Sequence, residues 1–163
     1  MLPVQSKLIV YHANVMSHAT YAISSWGPLI TDKLLKKMKV QQNNSLRLIF
    51  NSHKRERVSE LYRKSKTLKI EDIIKLELIK ISHRHIYDQL PTRITNLYEI
   101  QNHTHYTRNR NNLITPHHTT MQYNKSFLGK SPHLWLQLSD NIKEIRKIKN
   151  FAKSYSQLSY QTY

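Results

Sequence analysis

The chain has no cysteine, two glycines and no long apolar run. Each scarcity removes a class of function. Without thiols there is no disulfide framework, no thiolate metal site and no thiol nucleophile, which fits a reducing compartment. Gly-rich phosphate cradles need backbone freedom that only Gly supplies, so P-loop nucleotide hydrolysis is excluded. The longest apolar stretches, such as residues 8–10, are far below the ~20 residues needed to cross a bilayer. Residues 1–7 lack the basic start and apolar run of an export signal. The expectation is an intracellular chain that is not secreted.

Acidic residues are also scarce: 26 Lys and Arg face 10 Asp and Glu, leaving a formal charge of +16 on 163 residues. Such a surplus repels itself in a compact state and calls for a polyanion. Nucleic acid comes first among such partners and anionic membrane second. The 19.5 kDa chain is 39% hydrophobic with a mean hydropathy of −0.63, enough for one domain with a modest core. Abundant Ile, Lys and Asn also suit an AT-rich coding sequence, so the Asn excess by itself carries no function.

Helical periodicity dominates the pattern. Leu8, Tyr11, Val15, Ala19, Ala22 and Trp26 predict a first helix over 5–25, stopped at Gly27-Pro28. Thr31-Asp32 offers an N-cap for a second helix, with Leu35, Met38, Gln42, Leu46 and Ile49 on one side, ending near Phe50. Its other side holds Lys33, Lys36, Lys37, Asn43, Asn44 and Arg47, either a solvated face or a phosphate-facing one. Gln42 interrupts the apolar stripe. It sits at a rim or completes a buried polar network, since an unpartnered buried amide costs ~1–3 kcal/mol.

Residues 51–57 form a polar basic linker and 59–64 a short helix with Leu61 and Tyr62 inward. Residues 70–89 form the strongest helix, with Glu71 and Asp72 in its first turn. Ile70, Ile74, Leu78 and Ile81 line one side of it, and Leu76, Ile79, Ile86 and Tyr87 a second, so it packs between two neighbours. A further helical turn is expected over 94–100, then a polar loop at 101–112 and a short extended piece at 112–116. A short helix over 130–138 would start at Ser131-Pro132. The last helix, over 140–160, presents Ile142, Ile145, Ile148, Phe151, Tyr155 and Leu158. The fold class is mainly α, a multi-helix bundle with a polar loop and a small helical C-terminal tail.

No catalytic residue and no metal site emerges. His83 and His85 stand two apart on a helix and point about 200° from one another, whereas a helical metal pair needs a spacing near four. His103 with His105, and His117 with His118, have no nearby carboxylate or cysteine to support them. Glu71-Asp72 at a helix start suits the macrodipole better than a two-metal centre. No Gly-x-Ser-x-Gly elbow is present. What remains is a basic surface interleaved with aromatics. Tyr106, Arg108 and Arg110 lie in the polar strip, with Lys125 and Lys130 after it, and Lys143, Arg146, Lys147, Lys149 and Lys153 follow in the last helix. Arg and Lys hold phosphates, and Tyr and His stack on unpaired bases.

Several segments, in order, resemble the region downstream of the palm in reverse transcriptases of non-LTR retrotransposons, the LINE and jockey-like elements. Tyr21-Ala22-Ile23-Ser24-Ser25-Trp26-Gly27 is similar to the family's Tyr-Gly-x-x-x-Trp-Gly ending of a thumb helix. Gln42 with Leu46-Arg47-Leu48-Ile49 resembles its Gln-x-x-x-Leu-Arg-x-Ile helix. The helix from Leu68-Lys69-Ile70-Glu71-Asp72-Ile73 to Leu90-Pro91 resembles the next one. Tyr106-Thr107-Arg108 with Leu113 and Pro116 is similar to its Thr-Arg strip, and Ser126, Pro132, Trp135, Ile142 and Phe151 resemble its tail. The match runs from about Leu8 to Leu158 and departs where the family's Gly-Pro-x-x-Trp-Asn is here Ser131-Pro132-His133-Leu134-Trp135-Leu136.

The resemblance implies a thumb-like unit over 1–100, a strip over 101–116 and a helical tail over 117–163, gripping primer–template backbone in a transposable element's RNA-directed DNA polymerase. Tyr21, Trp26, Gly27, Gln42, Pro91 and Trp135 would be its structural markers. No Tyr-x-Asp-Asp motif is present, so the chain is not expected to be an enzyme by itself and needs no cofactor. Expected partners are RNA, DNA or their hybrid, and a palm-bearing remainder of the polymerase, but not membrane. The compartment would be a nuclear or cytoplasmic ribonucleoprotein. Phosphate contact is assigned to Lys33, Lys36, Lys37 and Arg47, then to Arg108 and Arg110. The rival expectation is a basic helical interaction protein of a ribonucleoprotein.

Overall fold

A computed structural model describes residues 2–94, 97–100, 113–114 and 120–163. The protein is mainly α-helical, with no strand among the described residues beyond one antiparallel bridge between Ile100 and Leu113. In chain order, α1 is Val4–Val10, followed by a π-helical turn at Tyr11–Met16, α2 at Ser17–Thr20 and α3 at Ile23–Trp26. Then come α4 at Asp32–Phe50, α5 at Val58–Ser65 and α6 at Ile70–Ile86. The last group is α7 at Met121–Lys125, α8 at Phe127–Leu136, α9 at Asp140–Lys143 and α10 at Ile148–Thr162. No described helix is long and apolar enough to cross a membrane.

The first segment is interrupted where one continuous helix over 5–25 is predicted. A π turn holds one extra residue, so side chains five apart approach one another. Tyr11 and Met16 are accordingly both buried, and the Tyr11 hydroxyl donates to Met16 Sδ at 3.0 Å. The shift in register puts Met16 inward where the α period predicts Val15, which is 49% exposed. Ala22 then takes a left-handed φ of 47°, and Ile23 is buried in its place.

Helix α6 is the hub. Its residues Ile70, Ile74 and Leu78 form one apolar cluster with Ile23. Leu76 and Ile79 form another with Trp135, Phe151 and Tyr155. The two faces predicted for this helix therefore separate as expected, except that Ile81 joins the second cluster. A third cluster gathers Tyr11, Met16, Leu46, Ile49, Leu61 and Tyr62 under α4 and α5. The helix ends at Ile86, short of the predicted 89, because Asp88 turns left-handed at a φ of 52° before Pro91.

Side chains at this end of α6 explain why the last segment is two helices instead of one over 140–160. His83 Nε2 lies 2.7 Å from the Ile145 carbonyl, the Tyr87 hydroxyl donates to the Lys143 carbonyl at 2.6 Å, and Gln89 Nε2 donates to that of Arg146 at 3.2 Å. Carbonyls engaged this way draw the backbone off the helical path between α9 and α10. Leu158, predicted inward, is 47% exposed, and Ser159 is buried instead.

Helix α8 begins earlier than predicted: Ser126, not Ser131, is its N-cap, accepting from the Gly129 N–H, and Pro132 lies inside the helix. Ser131 is fully buried and donates its hydroxyl to the Leu78 carbonyl at 2.7 Å. A Cβ on Gly129 would meet the Tyr123 carbonyl oxygen at 2.5 Å, so α7 and α8 approach as closely as Gly allows. Residues 97–100 bend into the bridge with Leu113 instead of making the predicted helical turn, although a 3-10 turn precedes them at Thr92–Ile94.

Gln42 is buried, its Nε2 donating to the Leu68 carbonyl at 2.8 Å while its Oε1 accepts from the Ile70 N–H at 3.0 Å. Replacing it by Ala orphans two backbone groups and should cost about 2–4 kcal/mol in chemical denaturation. The exposed neighbour Gln41, changed to Ala, should cost less than about 0.5 kcal/mol.

His83 supplies a pH test. It is fully buried beside Phe151 and Trp135, its Nε2–H must donate to the Ile145 carbonyl, and Nδ1 has no hydrogen-bond partner. Desolvation pushes its pKa below the ordinary value. The unfolded chain then binds the extra proton first, so stability holds above about pH 6.5 and falls as pH drops toward the lowered folded value. Urea unfolding at pH 7 and pH 5 should show a smaller acid loss for His83→Gln, which keeps a donor near Nε2 and cannot titrate.

Candidate nucleic-acid interface

Helix α4 decides which cations reach solvent. At 100° per residue, Lys33, Lys36, Lys37 and Arg47 span an arc of about 100° opposite the Gln42, Leu46 and Ile49 stripe. That stripe is buried. Lys33, Lys36 and Lys37 are exposed, and none of them is in an ion pair among the described residues. Lys39, at the edge of the arc, is neutralised by Glu71. The face is therefore cationic and free of carboxylate partners along its N-terminal half.

Arg47 is placed differently from the three lysines. It is half-buried, its Nη2 reaches the Glu56 carbonyl at 3.5 Å, and its Nε has no partner. It fastens the 51–57 loop to the C-terminal end of α4. In that loop Lys54, Arg55 and Arg57 are exposed. They were not singled out from the sequence as phosphate contacts, because a linker has no period to assign a direction. Glu56 is the loop's acid, and the Ser52 hydroxyl that donates to it keeps its carboxyl below the usual range. Arg108 and Arg110 lie outside the described residues.

Other basic residues are withdrawn by the fold. Lys130 Nζ donates to the Pro28 carbonyl at 2.9 Å, and Lys143 Nζ pairs with Asp140 at 3.6 Å. Arg146, Lys147, Lys149 and Lys153 remain exposed around the start of α10.

The structural markers divide in the same way. Tyr21 is 79% exposed, while its carbonyl accepts from Trp26 Nε1 at 2.8 Å. Gly27 is buried where a Cβ would stand 3.0 Å from Ile74 Cγ1, so close contact of α3 with α6 favours Gly. Pro91 is exposed after α6, and Trp135 is fully buried against Phe151, with ring centroids 6.0 Å apart.

Catalytic geometry is not assembled. His83 and His85 diverge, the second reaching the Tyr98 carbonyl at 2.8 Å. Among the described residues no three His, Asp or Glu converge as metal ligands. Glu71 and Asp72 are occupied by Lys39 and by the Tyr163 hydroxyl. The elements present can hold anionic backbone by charge, without positioning a reacting atom.

No protein-family model, no curated protein and no solved structure matches this chain.

Proposed function

We propose that the chain binds nucleic acid through its sugar–phosphate backbone, with little sequence preference. It would act as the thumb and downstream region of a retrotransposon-type reverse transcriptase whose catalytic palm lies on another segment. The observation that carries this reading is the exposed, unpaired row Lys33, Lys36 and Lys37 on the α4 face turned away from the core. Cations on one rigid helix hold a fixed geometry toward a polyanion, and each contact releases condensed counterions. The order of segments resembling that family supports the same assignment. Phosphate contacts position a duplex without reading it, which is the task of a thumb.

Reversing Lys33, Lys36, Lys37 and Arg47 to Glu should lower duplex affinity by roughly two orders of magnitude for all sequences alike. The slope of log K against log salt should become shallower by about 3–4, near 0.9 per lost phosphate contact. Fluorescence anisotropy across a salt series reads both quantities, with circular dichroism confirming retained helix. Unchanged affinity would reject the reading and favour a basic interaction protein of a ribonucleoprotein, whose charge meets protein instead.

A further inference from the structure

A second cationic surface lies away from α4, where the end of α5 meets α10. A trough of about 580 Å³ is lined there by Arg63, Lys66, Lys153, Gln157, Tyr160 and Gln161. It shares Lys66 and Tyr160 with an adjoining recess of about 340 Å³, where the lining includes His12, Ser17, Thr20 and Thr67. No carboxylate lines either part. In a chain with ten acids, four of them in ion pairs with lysines elsewhere, the trough keeps three uncompensated cations.

Its chemistry is more specific than charge. Lys153, Gln157, Tyr160 and Gln161 follow one another at helical spacing along a single stripe of α10. The two amides each carry a donor and an acceptor, the complement of a base edge, and the tyrosine supplies a ring for stacking. Tyr160 is braced, its hydroxyl donating to the Lys66 carbonyl at 2.6 Å, and its ring meets that of Tyr163 edge-on at 6.0 Å. Lys66 itself holds a left-handed φ of 51° at the end of α5, a place where Gly or Asn would be less strained. His12, from the π-helical turn, reaches Thr67 Oγ1 at 3.2 Å on the recess floor. Both volumes lie within the roughly 300–1,000 Å³ of pockets that enclose a small molecule, so about one or two nucleotides enter and a double helix does not.

We infer that this trough holds an unpaired polynucleotide strand, with its phosphates on Arg63, Lys66 and Lys153 and a base against the Tyr160 ring. The inference rests on the nucleic-acid reading above and adds to it a second surface and the strandedness of its ligand. The α4 face would take duplex while the α5–α10 trough takes single strand, either the template not yet copied or a free end.

The test measures binding of labelled oligo(dT), oligo(U) and a blunt DNA duplex of equal length to four variants of the full chain. Arg63→Gln with Lys153→Gln should weaken both single strands about tenfold and flatten their salt slope by about 1.4, near 0.7 per phosphate contact. Duplex affinity should change less than about twofold, since those contacts lie on α4. Tyr160→Ala should cost single-strand affinity at least about fivefold, as loss of one stacking platform does. Tyr160→Phe, which keeps the ring and loses only the brace, should stay within about twofold of the parent. Equal weakening of duplex and single strand by the double variant, or none of either, overturns the trough. A loss in Tyr160→Phe as large as in Tyr160→Ala overturns the stacking role. The fourth variant, the α4 quadruple reversal, should weaken duplex alone. If it leaves duplex unchanged while the trough variants still weaken single strand, the α4 reading fails and the trough stands.

Discussion

The arrangement depends on one buried amide. Gln42 bonds to the backbone on both sides of Lys69, accepting from Ile70 and donating to Leu68 at the entry to α6. Helix α4 carries four amides in succession, Gln41, Gln42, Asn43 and Asn44, and a hydrophobic stripe alone would tolerate a slightly different roll about the helix axis. The paired bonds do not, because a roll of one residue would leave a backbone donor and acceptor buried without partners. Asn43 adds a second fix, accepting from the Tyr62 hydroxyl of α5 at 2.8 Å. Once the roll is set, the side opposite Gln42 is set as well, and that side holds the three free lysines. A core interaction thus determines the orientation of the surface charge.

The same economy operates at both ends of α6. At its start, the Tyr163 hydroxyl accepts from the Lys69 N–H at 3.0 Å and donates to the Asp72 carboxylate. Lys69 Nζ meanwhile stands 3.9 Å from the centre of the Tyr163 ring. A residue 94 positions away therefore helps to satisfy the first turn of the hub helix, whose own N-cap residue, Lys69, gives no side-chain cap. At its other end, His83, Tyr87 and Gln89 bind the carbonyls between α9 and α10. Residues 120–163 are tied to the hub at both ends, and Trp135 and Phe151 fill the second side of its core.

Much of this was legible because α6 and α4 carry strong periods bounded by clear signals. The span of α4 and the inward set Gln42, Leu46 and Ile49 follow from spacing, and so do the two apolar sides of α6. The errors share a cause. Periodicity assumes an uninterrupted α-helix, and the interruptions arise from tertiary contacts that a local window does not contain. The π turn exists because Tyr11 and Met16 both enter the core, and that exchange moves Val15 out. The gap between α9 and α10 exists because side chains from residues 83–89 hold carbonyls some sixty positions away. Ser126 caps α8 although Ser131-Pro132 reads as the better start signal, because Ser131 is needed at Leu78 in the core. Of the candidate interface, the direction of three lysines was readable from spacing. The recruitment of Lys66 and Tyr160 to one trough was not, since no period relates two residues on different helices.

Charge follows from where the few acids are used. Glu71, Asp72 and Glu77 are spent on α6, paired with Lys39, Lys75 and Lys80, and Asp140 is spent on Lys143. Exposed pairs of this kind contribute at most about 1 kcal/mol each, so their effect on stability is small. Their effect on the field is larger, because each removes a cation from the count near the hub and leaves the outlying lysines unopposed. Compensation is concentrated where helices pack, and the surplus of +16 is displaced outward to α4 and to the trough beside α10. A polyanion approaching from solvent then meets the cations before it meets any carboxylate, and the attraction acts over about a Debye length, ~8 Å at physiological salt. Both surfaces are thus products of one distribution: acids kept inward for the hub, bases left outward for a partner.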